Sequence, residues 1–302
     1  MGKRDFWKAE AQADEVLAKH KISALPVDPF YIAKAEEILC EKICSSTPGV
    51  SGCLASKDNK FGIFYGDYFC SEGFCRFTVA HELAHYFLAG HWEHVFADGQ
   101  TRHTSESGFS SDDPIEREAD AFAAALLMPR GLFRSSCTGV QPGLTTVEVL
   151  AEKCRTSLTS TAIRYADLSE DPITIVVSKD NRVQFAFMSE SLRQRRDLPP
   201  IKRDSGIPEN TETSRFNKNP INVTKAKRAT SFSTMDVWFD CDAKSSIMEE
   251  VRGLGSYGRT LTVLWSESSP VSEEAEEVKE DEEFENMLPS DRWRQPRKYQ
   301  DE

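Results

Sequence analysis

The stretch FTVAHELAHYFLAGH, residues 77–91, decides how the chain is read. On a helix, positions four apart lie on one face, one turn apart. His81 and His85 therefore point the same way and can share one metal ion. Glu82, beside them, can hold a water against that ion and move its proton. The neighbours Phe74, Phe77, Val79, Leu83, Ala84, Phe87 and Leu88 are apolar nearly all round, which predicts a buried helix from about residue 72 to 89. Unpaired His and Glu in such a helix would each cost on the order of a few kcal/mol, so two merely satisfied histidines are the weaker reading.

Zinc needs a third protein ligand, and three residues compete for the place. His91 stands ten positions after His81, as in HExxHxxGxxH, but Leu88 rather than glycine occupies the point where that chain must turn. Glu116, in EREAD (residues 116–120), lies one helical turn before Asp120. In the gluzincin arrangement such a Glu binds zinc, and the acid four residues on supports a zinc-bound histidine. A capping box with Asp113 explains Glu116, but not an acidic Asp120 in the same apolar helix. Glu118 is turned by about 200° from Glu116, so the two cannot face one ion. Glu116 is favoured, and His91 and Glu118 stand as alternatives. His94 and His103 read as solvated loop histidines.

Outward from this helix, residues 6–20 have helical spacing, and Asp28-Pro29 starts a second helix within 25–38. SGCLASKDNKFGIFYGDYF (51–69) reads as a hairpin turning at Asp58-Asn59, and its KFGIFY strand is a candidate edge for pairing with an extended peptide. Residues 91–111 read as a loop. DDPIEREADAFAAALLMP (112–129) reads as a buried helix with Asp113 as N-cap and Pro129 at its close. Two short helices at 145–153 and 159–168 and a hairpin at 173–189 follow. Further on, a short helix is expected at 244–251, between strand-like segments.

The expected class is α+β: a zincin-like helical core with a small antiparallel sheet, a helix-turn-helix-like pair and a small C-terminal α/β region. Five parts are expected. Residues 1–140 form the metallopeptidase domain, 141–190 the helix pair with its hairpin, 191–228 a flexible basic segment, 229–266 the C-terminal region and 267–302 an acidic disordered tail. The basic segment has ten Lys/Arg against four Asp/Glu, and residues 267–285 hold ten acids and one lysine.

A net charge of −12 argues against nucleic acid and anionic membranes as default partners. No apolar run is long enough to span a membrane, and residues 1–21 lack the apolar core of a signal peptide. A cytoplasmic protein is expected, with its eight cysteines reduced and mostly buried. Cys40-x3-Cys44 and Cys70-x4-Cys75 are a weak candidate for a second metal site. The helix pair 145–170 carries three basic and four acidic residues, which makes direct DNA binding unfavourable.

RFTVAHELAHYFL (76–88) followed by EREADAFAAALLMP (116–129) resembles the ImmA/IrrE metallopeptidases, whose pattern is RFTLAHELGH and then ExxANxFAAxLLMP. LPVDPFYIAKAEEI (25–38) and LAEKCRTSLTSTAIRYADL (150–168) are similar in style, so the resemblance covers roughly residues 20–190. It implies His81, His85 and Glu116 as zinc ligands, Glu82 as catalytic acid/base and Asp120 as a support behind the ligands, where the family often has Asn. Ala84 stands where the family usually has Gly. It also implies a protein substrate, an XRE-type helix-turn-helix repressor, cleaved to release stress or mobile-element genes. The alternative is a non-catalytic zinc-containing regulator that binds a repressor or DNA.

Overall fold

The computed structural model describes residues 6–43, 50–58, 60–66, 71–97, 100–106 and 113–266. The tail 267–302, Asn59, Cys44 and Cys70 lie outside them, and with these the tail and the cysteine-pair expectations. The six described cysteines are free thiols. Burial raises those of Cys40, Cys137 and Cys154 to about 11, as apolar surroundings do for a thiol.

The chain opens with α1 (Trp7–Lys19) and α2 (Pro29–Ala35). The Asp28 carboxylate caps α2 by accepting from the Phe30 amide at 3.0 Å, with Pro29 in the first turn. Three strands follow, β1 (Leu39–Ile43), β2 (Val50–Lys57) and β3 (Lys60–Gly66), and then α3 (Glu72–Phe87). Ser71 Oγ caps α3, and the buried Arg76 donates to the Val27 carbonyl, tying α3 to the chain entering α2. After α3 come α4 (His91–Val95), β4 (Arg102–Glu106) and α5 (Pro114–Leu127).

The first sheet has the order β1-β3-β2-β4. Three expectations change here. The supposed loop at 91–111 contains α4 and β4. The sheet is not wholly antiparallel, because β1 runs parallel to β3. KFGIFY is β3, which pairs with β1 on one side and β2 on the other, so it has no free edge for a peptide. β4, on the outside of β2, is the edge nearest α5 and the histidines.

α3 and α5 lie against each other through alanines: Ala80, Ala84, Ala119 and Ala123 are all fully buried. Side chains this small let two helix backbones approach closely. α1 covers α5 with Ala9, Ala13, Val16 and Leu17. The chain then forms α6 (Arg130–Cys137), α7 (Leu144–Cys154) and α8 (Leu158–Leu168).

A second sheet is built from β5 (Ile173–Lys179) and β6 (Arg182–Met188), and then, after α9 (Glu190–Arg193), α10 (Glu212–Asn217) and α11 (Pro220–Thr224), from β7 (Arg228–Thr234), β8 (Ser246–Gly253) and β9 (Thr260–Trp265); α12 (Met235–Phe239) lies between β7 and β8. Its order is β6-β5-β9-β8-β7, all antiparallel. The hairpin at 173–188 and the strands after 228 thus make one sheet. Ile173, Ile175, Val177, Leu261 and Val263 face the main core, and Val176 and Leu264 face a second cluster with Met188, Trp238 and Phe239. Burial on both faces accounts for the largely apolar sequences of β5 and β9, interrupted by the buried Thr174, Ser178, Thr260 and Thr262.

Two further expectations fail in this half. Residues 244–251 are mostly strand: Ile247, Glu249, Val251 and Gly253 are buried in alternation, a period of two that excludes a helix. Residues 191–228, expected as a flexible basic segment, fold over the sheet, with Leu192, Leu198, Ile207 and Phe216 buried. Those apolar residues are too widely spaced for periodicity to reveal them, while the charges between them face solvent.

Candidate metal centre

The one-turn spacing of His81 and His85 sets both rings on the side of α3 that faces α5. Their Nε2 atoms are 3.2 Å apart. Glu116, in the first turn of α5, places Oε2 3.2 Å from His81 Nε2 and Oε1 3.4 Å from His85 Nε2. Zinc bonds of about 2.0–2.1 Å in tetrahedral geometry set neighbouring ligand atoms about 3.3 Å apart, close to the separation of the two ring nitrogens and to that of each from one of the two Glu116 oxygens. Among the described residues, His81, His85 and Glu116 are the group able to hold a metal ion.

α5 begins with Asp113, whose carboxylate accepts from the Ile115 amide at 2.9 Å. Glu116 lies at the third position of that helix but reaches the histidines instead of closing a capping box. One turn later, Asp120 Oδ1 accepts from His81 Nδ1 at 2.9 Å. That bond fixes the proton on Nδ1 and leaves Nε2 as the metal-facing lone pair.

Charge follows position. Burial opposes a proton on His81, but Asp120 and Glu116 outweigh it and raise its pKa to about 10. His85 is held neutral, by burial first and then by the charge on His81. Burial alone would raise the Glu116 carboxyl, yet the hydrogen bonds from His103 and His81 hold it far below the usual carboxylate range.

Glu82 is fully buried, and neither carboxylate oxygen completes a hydrogen bond among the described residues. Burial raises its pKa above the ordinary value despite the pull of His81, of the nearby Ser105 hydroxyl and of His103. An orphaned buried carboxylate costs several kcal/mol unless something binds it. Beside His81, His85 and Glu116, a water held at an ion would be such a partner, so the residues fit a metal.

The remaining candidates are placed differently. His91, at the start of α4, contacts the Nδ1 of His85 through its own Nδ1 at 3.3 Å, on the nitrogen that does not face His81 and Glu116. Glu118 meets His91 Nε2 at 3.2 Å. Neither therefore stands with the three converging atoms. His94 is exposed. His103, read as a solvated loop residue, is on β4 and places Nε2 3.0 Å from Glu116 Oε1; its ring centre is 4.7 Å from that of His85. Gly52 on β2 was also not foreseen: a Cβ there would lie 2.6 Å from Glu82 Oε1 and 2.5 Å from Thr78 Cγ2. Five residues of an edge strand and one strand glycine give no periodic signal from which either could be found.

Residues 63–165 match the family model described as Peptidase_M78, the IrrE N-terminal-like domain. The match runs from β3 into α8 and so contains α3, β4 and α5. A solved structure of a Mycobacterium tuberculosis transcriptional regulator is similar at a TM-score of 0.57 and 13% identity, over 86% of this chain and 77% of that one; at that identity the likeness shows the fold. No curated protein matches the sequence. Over residues 63–165, therefore, this chain matches the IrrE N-terminal-like peptidase domain, in agreement with the resemblance of its two motifs to the ImmA/IrrE metallopeptidases.

Proposed function

We propose that the chain is a cytosolic zinc-dependent endopeptidase that cuts a helix-turn-helix repressor of the XRE type and so releases stress or mobile-element genes. The observation that carries the catalytic part is Glu82: a fully buried carboxylate, one residue from a ligand histidine and beside the convergence of His81, His85 and Glu116. An imidazole pair and one carboxylate form a hard, nitrogen- and oxygen-rich donor set of the kind zinc takes in peptidases.

Bound there, zinc supplies the Lewis acidity that polarises a carbonyl and makes water a usable nucleophile at neutral pH. The chain's own residues do the rest. Glu82 accepts a proton from water and delivers it to the departing amine. Asp120 holds His81 in one tautomer and one orientation. Gly52 leaves room for Glu82 against β2. His103 keeps Glu116 ionised and in place from the other side. Among the described strands the outer edge of β4 is unpaired and would offer backbone groups to an extended peptide running past His103 and the metal ligands.

The repressor is the proposed substrate because of the resemblance to the ImmA/IrrE metallopeptidases. A cutting role suits the chain better than DNA readout: no residue of α8, the second helix of the helix-turn-helix-like pair, is exposed, so it has no free face for a groove. Among the described residues no helix is long and apolar enough to cross a membrane, in keeping with a cytosolic substrate. The test is incubation with an XRE-type helix-turn-helix repressor from the same genome, read by mass spectrometry. The wild type cuts at one or a few sites, and Glu82→Gln keeps its zinc and yields no product. Cleavage by Glu82→Gln at the wild-type rate contradicts the mechanism; stoichiometric binding of intact repressor by the wild type supports the non-catalytic regulator instead.

A further inference from the structure

Both histidines of α3 have a second nitrogen to satisfy. His81 gives its Nδ1 proton directly to Asp120. His85 is fully buried and has no carboxylate on its Nδ1; its partner there is the Nδ1 of His91, at 3.3 Å. His91 is itself 1% exposed and reaches the Glu118 carboxylate through Nε2 at 3.2 Å. One proton arrangement satisfies all of these contacts once His85 Nε2 is a free lone pair. His85 carries its proton on Nδ1 and donates to His91 Nδ1. His91 then carries its own proton on Nε2 and donates to Glu118. No nitrogen is left without a role, and both rings stay neutral.

We infer that His91 and Glu118 are positioning residues for metal binding: a histidine–carboxylate pair that orients His85 and fixes its tautomer from behind, as Asp120 does for His81. The inference rests on the reading of His81, His85 and Glu116 as metal ligands. Local geometry supports it. Gly90, at φ 83°, turns the chain just after α3, so His91 folds back under His85 instead of continuing away from it. Glu118 lies two residues after Glu116 on α5, on the flank of the helix that meets α4. One helix thus carries both a metal-facing carboxylate and the carboxylates that hold each ligand ring.

The experiment measures zinc affinity by competition with a chromophoric chelator, with circular dichroism as the check on folding. His91→Ala weakens zinc binding about 10–100-fold, the usual loss on removing such a support. His91→Asn restores most of it, because the Asn side-chain oxygen can accept the His85 Nδ1 proton. Glu118→Ala, at a side chain 40% exposed and so little needed for folding, weakens binding less than His91→Ala does. In the His91→Ala background it has no further effect, since the route from Glu118 to His85 is already broken. A merely structural role would give additive losses and no rescue by Asn. Wild-type affinity in folded His91→Ala, or in Glu118→Ala if His91→Ala does not fold, overturns the inference. A wild-type chain that takes up no zinc overturns the metal reading itself, and this inference with it.

Discussion

At the scale of single residues, the site depends on atoms held without slack. Gly52 is the sharpest case: a methyl group there would collide with both Glu82 and Thr78. Gly52→Ala should leave zinc content unchanged, because no ligand is touched, and lower peptidase activity by more than tenfold as Glu82 is displaced. The overpacking should also cost about 1–3 kcal/mol of stability. Paired metal analysis and kinetics check it; unchanged activity would show that Glu82 has room to spare. His81 gives a second prediction. In the metal-free chain Asp120 and Glu116 keep it protonated up to about pH 10. Zinc binding at pH 7.5 should therefore release about one proton, seen by calorimetry in two buffers of different ionisation enthalpy. Helical spacing puts His81 and His85 on one face of α3 and Glu116 and Asp120 on one face of α5, while the pairing of those two faces was implied only by the resemblance of the two motifs to a known family. His103, Gly52 and the meeting of His91 with Glu118 were not legible in the sequence, since each depends on a contact between segments that no local period records.

At the scale of elements, the long helices were legible and the short strands were not. α3 and α5 carry apolar residues at every turn, and Ser71 and Asp113 stand at their N-caps. β1 has no buried residue and β4 only five positions, so neither shows alternation. β8 was mistaken for a helix because SIMEEVRG mixes acids and aliphatics at spacings compatible with either period; burial of Glu249 within the sheet decides it. One ion-pair cluster holds α1 to the elements beyond α5. Glu10 accepts from the buried Arg164 of α8 and, at 2.8 Å, from Arg130 at the start of α6. Burial works against the Glu10 carboxylate, but the two arginines bring its pKa below the ordinary 4.5. A carboxyl depressed in the folded state contributes stability above its unfolded pKa and loses it as pH falls through the folded value. Glu10→Gln should thus lower stability at pH 7 by about 1–3 kcal/mol, less than a fully buried pair because Glu10 is partly exposed. The gap from wild type should close as pH falls below 4.5 and through the depressed folded value. Denaturant melts across pH check this, and a pH-independent gap would contradict it.

At the scale of the whole molecule, the second sheet shares a core with the metal domain. Ile175 and Val263 belong to the same buried cluster as Leu83 and Phe122. Polar bonds reinforce the contact: Glu148 of α7 pairs with Arg252 of β8 and Arg228 of β7, and Glu250 of β8 accepts from the Leu144 amide and Trp265 Nε1. Ile175→Ala should therefore cost about 2–5 kcal/mol and shift zinc release and tryptophan fluorescence together in one unfolding transition. Two separated transitions would mean that the halves fold independently. The central claim, that α3 and α5 together build one metal site, is tested most directly by the zinc content of the purified Glu116→Ala chain. Close to one zinc per wild-type chain and almost none in Glu116→Ala is the predicted result. Full zinc retention by a folded Glu116→Ala chain would contradict it.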